Sequence, residues 1–292
     1  MTLELHSEPY PHWVFTAAGG DQLRVVPERG GLVTGWLCAG RERLYLDQQR
    51  FADPAKSVRG GIPVLFPICS SLPGNRLDLA EGSFAMNQHG FARDLPWQLT
   101  ELADGQGIGQ GIELTLGHSD VTLAQYPFPF RLSLVYRLEP AALAVDVSVE
   151  HVAQGAGAMP FAFGLHPYFA VSGLESVAVQ GLPATCRDQL RRLGEGADLL
   201  AEPAGTVRLW DAATGDGIEL DLQAPLDQIV VWTDPPRRTV CVEPWTAPPG
   251  AVPAGDRCLW LEPGLSRQLR CRFRISALAQ DGPAAADQRG DQ

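Results

Sequence analysis

The sequence predicts an all-β protein, folded as one large antiparallel β-sandwich. Three observations favour this class. Several segments alternate apolar and polar residues with period two, helical periodicity is poor, and the 292 residues include 31 glycines and 24 prolines. Such frequent chain-breaking residues are typical of many short strands joined by turns. We therefore expect functional side chains on the loops and strand ends of one concave face.

The predicted strands fall into two groups. Strands with one apolar and one polar face are predicted at Ile112–Leu116, Leu132–Leu138, Leu143–His151, Ile218–Leu222 and Gln268–Ile275. In the last of these, Arg270, Arg272 and Arg274 occupy the polar face. Ile229–Trp232 and Thr239–Val242 are apolar throughout, which predicts strands buried on both faces.

Two other segments need a separate interpretation. Arg187–Leu200 is the best helical candidate, although Gly194 and Gly196 interrupt it. Asp104–Gly111 reads DGQGIGQG between two predicted strands and does not satisfy GxGxxG. It predicts a flexible hairpin loop rather than a nucleotide cradle.

Composition excludes several classes of function. The net charge of −11 and the pI of about 5.0 argue against binding along a nucleic-acid backbone. Lys56 is the only lysine, so chemistry that needs an amine nucleophile would depend on it alone. No P-loop, GxSxG or HExxH motif is present.

The chain shows no signal peptide and no apolar run long enough for a transmembrane helix, so we expect a cytoplasmic protein without a membrane partner. Six cysteines occur without a CxxC pair, which predicts free thiols in a reducing compartment. We expect one domain over residues 1–278 and a disordered tail over residues 279–292, in a monomer or weak dimer.

Polar residues interrupt apolar strands in a few places. Arg59 begins RGGIPVLFP, His89 and Arg93 lie in NQHGFARDLPW, His166 lies in PFAFGLHPYF, and Glu243 ends a run of valine and cysteine. Burying a carboxylate at the end of an apolar run is costly, so Glu243 is expected to have a hydrogen-bond partner or a function. Each residue taken alone also fits a structural role, as a bonded core histidine, a turn or a solvated strand end.

Together these segments resemble the aldose 1-epimerase (galactose mutarotase-like) superfamily, and most closely its hexose-6-phosphate epimerase-like branch. The matching motifs occur in the family's order: RGGIPVLFP at Arg59, QHGFARDLPW at Gln88, LHPYF at Leu165, VVWTDPPRRTVCVEPWTAPPGA at Val230 and LEPGLSRQL at Leu261. The resemblance implies a large twisted β-sandwich, the galactose mutarotase-like supersandwich, with a sugar-binding cleft.

The resemblance also implies roles for individual residues. His89, His166 and Glu243 would line the cleft, and Arg59 and Arg93 match arginines near the substrate in the phosphate-sugar branch. Galactose mutarotases carry an acidic residue in an Asp-His-x-Phe-type segment, and the corresponding stretch at 182–205 lacks that motif. A dedicated galactose substrate is therefore not expected.

Interconversion of sugar anomers needs one base at the C1 hydroxyl and one acid at the ring oxygen. We assign Glu243 as the base and His166 as the acid, which requires a cationic His166 that a neighbouring carboxylate would favour. His89 and Arg93 would hold ring hydroxyls or polarise the ring oxygen, and Trp232 would form an apolar wall. The reaction requires no cofactor and no metal, and the expected ligand is a sugar or sugar phosphate.

Other assignments stay open at this point. Phe161 and Phe163 either wall the sugar or pack in the core, and Arg237 and Arg238 either bind phosphate or face solvent. A non-catalytic carbohydrate-binding or sensing protein has the same fold. A glycoside-cleaving enzyme would need a second carboxylate, for which only Asp94 and Glu262 offer themselves.

Overall fold

Short strands dominate the computed structural model, which describes residues 2–102, 111–155, 157–252 and 255–277. The strands of the first half are β1 (Thr2–His6), β2 (His12–Thr16), β3 (Gln22–Val26), β4 (Leu32–Cys38), β5 (Arg41–Glu42), β6 (Val64–Leu65), β7 (Arg76–Leu79), β8 (Gly82–Ala85), β9 (Gln98–Leu102), β10 (Gly111–Gly117), β11 (Phe130–Glu139) and β12 (Ala142–His151). Those of the second half are β13 (Met159–Phe161), β14 (Gly164–Leu165), β15 (Tyr168–Ala170), β16 (Val177–Gln180), β17 (Asp198–Ala201), β18 (Val207–Asp211), β19 (Asp216–Leu222), β20 (Gln228–Trp232), β21 (Thr239–Trp245), β22 (Leu259–Leu261) and β23 (Ser266–Ala277).

The helices are short. The α-helices are α1 (Gln48–Ala52), α2 (Asp120–Leu123) and α3 (Arg187–Leu190), and single 3₁₀ turns occur at Pro73–Asn75, Ala92–Asp94, Ala184–Cys186 and Leu193–Glu195. The helix predicted over Arg187–Leu200 is wrong beyond Leu190, because that stretch continues as a turn and then strand β17. Glycine in the middle of the segment disfavours helix continuation. No helix of the described ranges is both long and apolar enough to cross a membrane.

The largest sheet has eight antiparallel strands in the order β16-β18-β19-β23-β12-β11-β10-β9. The five strands predicted from alternating residues are confirmed. They lie side by side in this sheet, in the order β19, β23, β12, β11 and β10. Strands β9 and β10 pair antiparallel across the predicted hairpin, whose residues 104–110 lie outside the described ranges.

The two faces of this sheet match their sequence pattern. On β23, Leu269, Cys271 and Phe273 are buried. Arginines on the opposite face pair with acidic residues of neighbouring strands, as between Arg270 and Asp146. Exposed pairs of this kind contribute little stability, whereas the apolar face supplies the core.

A second sheet has the order β17-β20-β21-β14-β6, with β15 also paired to β21. Strands β20 and β21 are buried almost throughout, as their continuous apolar sequences predict. Phe169 of β15 packs against Phe273 of β23 with ring centroids 5.5 Å apart, so the two sheets share one core. Phe161 and Phe163 are fully buried in that core and do not wall a cleft.

The remaining sheets are smaller. Strands β1 to β5 form a five-stranded antiparallel sheet, and the pairs β7–β8 and β13–β22 form two-stranded sheets. All six cysteines are free, in agreement with the prediction from their spacing. The predicted tail at 279–292 lies outside the described residues.

Candidate active site

The register of strand β21 brings the predicted acid and base together. Gly164 lies opposite Trp245, and Tyr168 lies opposite Cys241. Continuing the same antiparallel register places His166 opposite Glu243, in the gap between β14 and β15. Opposed residues of antiparallel strands direct their side chains to the same face, so the two side chains meet.

The contact between the two side chains is direct. His166 Nε2 lies 3.3 Å from Glu243 Oε1, and the two side chains are 11% and 1% exposed. The Trp245 Nε1–H donates to the other carboxylate oxygen, Oε2, at 3.1 Å. The carboxylate is thus held from both sides inside the protein, with the imidazole towards the less buried side.

Glycine is required opposite Trp245. A Cβ atom on Gly164 would lie 2.7 Å from Trp245 Cδ1 and 3.0 Å from Cys69 Sγ. Both distances are shorter than an ordinary van der Waals contact, so a side chain here would displace the indole. The indole in turn holds Glu243, and Gly164 therefore belongs to the support of the carboxylate.

His89 reaches the same place from a strained loop. Its φ angle is 68°, and its ring lies 5.7 Å from that of His166 and 5.8 Å from that of Trp245. The Ser70 backbone N–H donates to His89 Nδ1 at 2.9 Å, which leaves the ring proton on Nε2. A positive φ in a non-glycine residue is uncommon and clusters at functional sites.

Two aromatic rings hold the imidazole of His166. Tyr168 stacks on it with centroids 4.7 Å apart and an interplanar angle of 6°, and Trp232 meets it edge to face at 5.9 Å. Trp232 is half-buried, and its predicted role as an apolar wall for the sugar stays a prediction. The stack restricts the imidazole to one orientation.

Arg59 lies at the same wall. Its guanidinium carbon is 5.6 Å from the centroid of the Trp232 ring, and its Nε is 3.7 Å from Asp234 Oδ2. Asp234 is also bound by Arg237 at 2.8 Å, and Arg237 reaches Asp47 at 3.2 Å. Arg237 is thus engaged with carboxylates.

Arg93 is largely buried. Its Nη2 donates to the Gln88 carbonyl at 2.8 Å, and its Nε has no protein partner within the described residues. Burial lowers the pKa of the Arg93 guanidinium. A cavity of about 570 Å³ adjoins this side chain and is also lined by Arg29, Lys56 and Asp94.

Burial sets the protonation of the central pair. It raises the pKa of the Glu243 carboxyl well above its ordinary value, against the Trp245 hydrogen bond and the charge of Arg93. Burial lowers the pKa of His166 well below its ordinary value, and the charges of His89, Arg93 and Arg59 act in the same direction. Both shifts favour a neutral imidazole beside a carboxylic acid, opposite to the cationic His166 that the sequence favours.

The neutral pair and the charged pair hold the same number of protons. One form has the shared proton on Glu243 and the other has it on His166. A transfer along the 3.3 Å contact between Nε2 and Oε1 interconverts them. Burial therefore decides where the proton rests, while the pair keeps one group that gives a proton and one that takes it.

The structure adds site residues that sequence reasoning missed, namely Tyr168, Trp245, Asp234 and Ser70, and it places Cys241 beside the acid/base pair. The period of two in a strand was the available signal for Trp245 and Cys241, because both lie two residues from Glu243 on the same face. The contacts of Asp234 and Ser70 depend on loops and had no sequence signal. Among the described residues, His166, Cys241 and Glu243 form one group of possible metal ligands.

The other candidate groups lie apart from the pair. Arg238 is exposed, in agreement with the solvent-facing alternative. Asp94 and Glu262 are exposed as well, and neither contacts Glu243 among the described hydrogen bonds. The charge of Asp198 on β17, by contrast, does act on Glu243 and raises its pKa.

The β-sandwich thus holds a buried His–Glu pair beside aromatic rings and arginines, with one group that can give a proton and one that can take it. The family model for aldose 1-epimerase matches residues 16–253 of this chain. The chain therefore belongs to the aldose 1-epimerase family, as its ordered motifs predict.

Individual relatives agree with this family. Over 159 residues the chain is 30% identical to a Cenchrus ciliaris protein named "Putative glucose-6-phosphate 1-epimerase", which covers 52% of this chain and 45% of that protein. The match thus spans about half the length of this curated relative. The crystal structure of the Slr1438 protein from Synechocystis sp. PCC 6803 has a TM-score of 0.82 and 32% identity, covering 95% of this chain and 97% of that one.

A more distant structure confirms the predicted fold. A galactose mutarotase-like protein from Lactobacillus casei ATCC 334 is 18% identical, with a TM-score of 0.72 over 90% of this chain and 100% of that chain. At this identity the likeness concerns the fold alone. The large antiparallel β-sandwich is that of the galactose mutarotase-like proteins.

Proposed function

We propose that this protein is an aldose 1-epimerase that interconverts the α and β anomers of an aldohexose 6-phosphate. The 3.3 Å contact between His166 Nε2 and Glu243 Oε1 carries the proposal. Two groups that share one proton, buried beside aromatic walls, are what acid/base ring opening requires. Family membership supports the reaction class, and the arginines support the phosphate.

In the proposed mechanism the Glu243 carboxylate takes the proton of the C1 hydroxyl while His166 protonates the ring oxygen. The bond between C1 and the ring oxygen breaks, and the aldehyde end rotates about the C1–C2 bond. The ring then closes on the other face, and both proton transfers run in reverse. The Nε2–H of His89 is placed to donate to a sugar oxygen, because its Nδ1 already accepts from Ser70.

Trp232 would support the apolar face of the sugar, since its ring borders both His166 and Arg59. The Trp245 hydrogen bond stabilises the anionic form of Glu243, which the base needs. No residue of this set has to form a covalent bond with the sugar.

The charges of Arg59 and Arg93 favour a phosphorylated substrate. Both guanidiniums lower the pKa of His166, so less of it carries the proton that it has to give. A phosphate dianion bound to them would cancel this repulsion and return the His166 pKa towards its ordinary range. The substrate would thus help to load the proton on His166. Arginine also suits bidentate phosphate contacts.

Anomer-exchange NMR on glucose and glucose 6-phosphate tests the reaction. We expect Glu243→Gln to slow exchange at least about 100-fold, the usual loss on removing a general base. Glu262→Gln is the matched control, because Glu262 is exposed and the substitution is the same. Equal exchange for wild type and Glu243→Gln would refute the mechanism. Saturable sugar binding without faster exchange would instead show a non-catalytic binding protein.

The phosphate requirement has its own test. Arg59→Gln should reduce kcat/KM for glucose 6-phosphate about 10- to 100-fold, as expected when a charge-assisted contact worth about 1.5–3 kcal/mol is lost. Its kcat/KM for glucose should not fall, because loss of the Arg59 charge leaves the pKa of His166 less depressed. Arg238→Gln is the control, because Arg238 is exposed. Equal losses for both sugars would show that Arg59 does not contact a phosphate.

A further inference from the structure

Three different ligand types meet at the floor of the candidate site. One imidazole nitrogen of His166, the thiol of Cys241 and a carboxylate oxygen of Glu243 all lie within 4.8 Å of one another. The three residues are 8%, 0% and 1% exposed. Cys241 and Glu243 are two residues apart on β21 and so share a face, with His166 opposite.

The spacing is close to that of a zinc site. Zinc binds nitrogen and oxygen at about 2.0–2.2 Å and sulfur at about 2.3 Å, in tetrahedral geometry. Such ligand atoms are about 3.3–3.7 Å apart, by the same bond lengths. His166 Nε2 and Glu243 Oε1 are already 3.3 Å apart, and the three ligand atoms lie within 4.8 Å of one another, so the thiol would have to approach by up to about 1 Å. Three protein ligands leave a fourth tetrahedral position for water.

One further feature prepares the group for a cation. The Trp245 N–H holds Glu243 through Oε2 and leaves Oε1 for another partner. Outer hydrogen bonds that orient a ligand in this way strengthen metal binding.

We propose that His166, Cys241 and Glu243 bind a thiophilic divalent cation, represented by Zn²⁺, and that this ion inhibits the protein by occupying its acid/base pair. Two protons leave to solvent as the ion binds: the thiol proton of Cys241, and the proton that His166 and Glu243 share. Inhibition rests on the proposed epimerase function, whereas binding of the ion does not. The epimerase reaction itself needs no metal.

Cobalt(II) titration of the full chain, after treatment with EDTA, tests the binding. We expect a thiolate-to-cobalt charge-transfer absorption and the visible bands of tetrahedral Co²⁺, saturating at one ion per chain. In Cys241→Ala the charge-transfer absorption should vanish, and Zn²⁺ affinity measured by chelator competition should fall more than about 100-fold, beyond the effect of an outer-shell change. Cys271→Ala, which truncates a buried thiol in the other sheet, should keep both.

Anomer-exchange NMR then tests inhibition. Zn²⁺ should abolish exchange by wild type and Cys271→Ala, while Cys241→Ala should keep its exchange activity in the same Zn²⁺ concentration. Absence of the charge-transfer absorption in wild type, or unchanged Zn²⁺ affinity in Cys241→Ala, would overturn the site. If the absorption depends on Cys241 but wild type exchanges no anomers, the metal site stands and the proposed function fails.

Discussion

Trp245 is the residue whose role can be tested most sharply, because one atom of it touches Glu243. Trp245→Phe removes the indole N–H that donates to Oε2 at 3.1 Å and keeps an aromatic ring in its place. The residue is 4% exposed, so water does not readily replace the lost donor. Glu243 would then be a buried carboxyl with less support for its anionic form.

The expected magnitude follows from the lost bond. A hydrogen bond to a charged group contributes about 1.5–3 kcal/mol, which corresponds to a decrease of about 10- to 100-fold in kcat/KM. Since the Trp245 bond lowers the pKa of Glu243, its loss raises that pKa further. The decrease should therefore be largest at neutral pH and should shrink as the pH rises and the carboxyl ionises.

The assay is kcat/KM for glucose 6-phosphate across pH, with urea unfolding to establish that the variant is folded. Trp36→Phe is the matched control, because Trp36 is fully buried and its Nε1 has no partner among the described residues. It loses the same volume without loss of a site hydrogen bond, and its activity should equal that of wild type. A Trp245→Phe variant with wild-type activity and an unchanged pH profile would refute the role.

Two further predictions concern the support of the site. Burial and the charges of Arg93 and Arg59 lower the pKa of His89 to about 3, whereas that of an unfolded histidine is about 6.5. The unfolded state therefore binds the proton first, and the free energy of unfolding should fall as the pH drops below about 6.5, by about 3 kcal/mol from this residue at pH 4. Urea unfolding in EDTA, measured across this pH range, tests this pKa. The free energy of unfolding of His89→Gln should depend less on pH than that of wild type, and an equal dependence would contradict the low pKa of His89. Gly164→Ala should destabilise the protein by about 1–3 kcal/mol and lower kcat, because its Cβ would lie 2.7 Å from Trp245 Cδ1. Gly117→Ala, with open space around its Cβ position, should change neither measurement, and equal effects of the two substitutions would exclude the clash.

The large sheet shows how much of the fold can be predicted from local sequence patterns. Alternation predicts β12 and β23 and also which of their faces is buried, because a strand with one wet face records its environment in every second residue. The helix expected at Arg187–Leu200 ends at Leu190, before the glycines that interrupt it, and the last residues of that segment pair with β20 as strand β17. Short irregular segments carry too few residues for a periodic signal.

The protonation states of His166 and Glu243 show what the sequence could not predict. The family resemblance implies that His166 and Glu243 belong to one site, and a neighbouring carboxylate would favour a cationic imidazole. The structure buries both groups and sets two arginines near them, so the pKa of His166 moves down instead. Desolvation depends on everything that surrounds a group, and no local motif contains that information.

The sequence by itself determined the all-β class, the strand faces, the family and the residues that carry polar chemistry. Each of these depends on the order and periodicity of residues along the chain. Tertiary structure alone decided that His166 lies opposite Glu243, that Trp245 and Tyr168 hold the pair, and that Cys241 lies beside it. The physical reason is strand register. Residues 77 positions apart become neighbours only when β15 and β21 pair, and the burial that shifts their proton exists only in the packed sandwich.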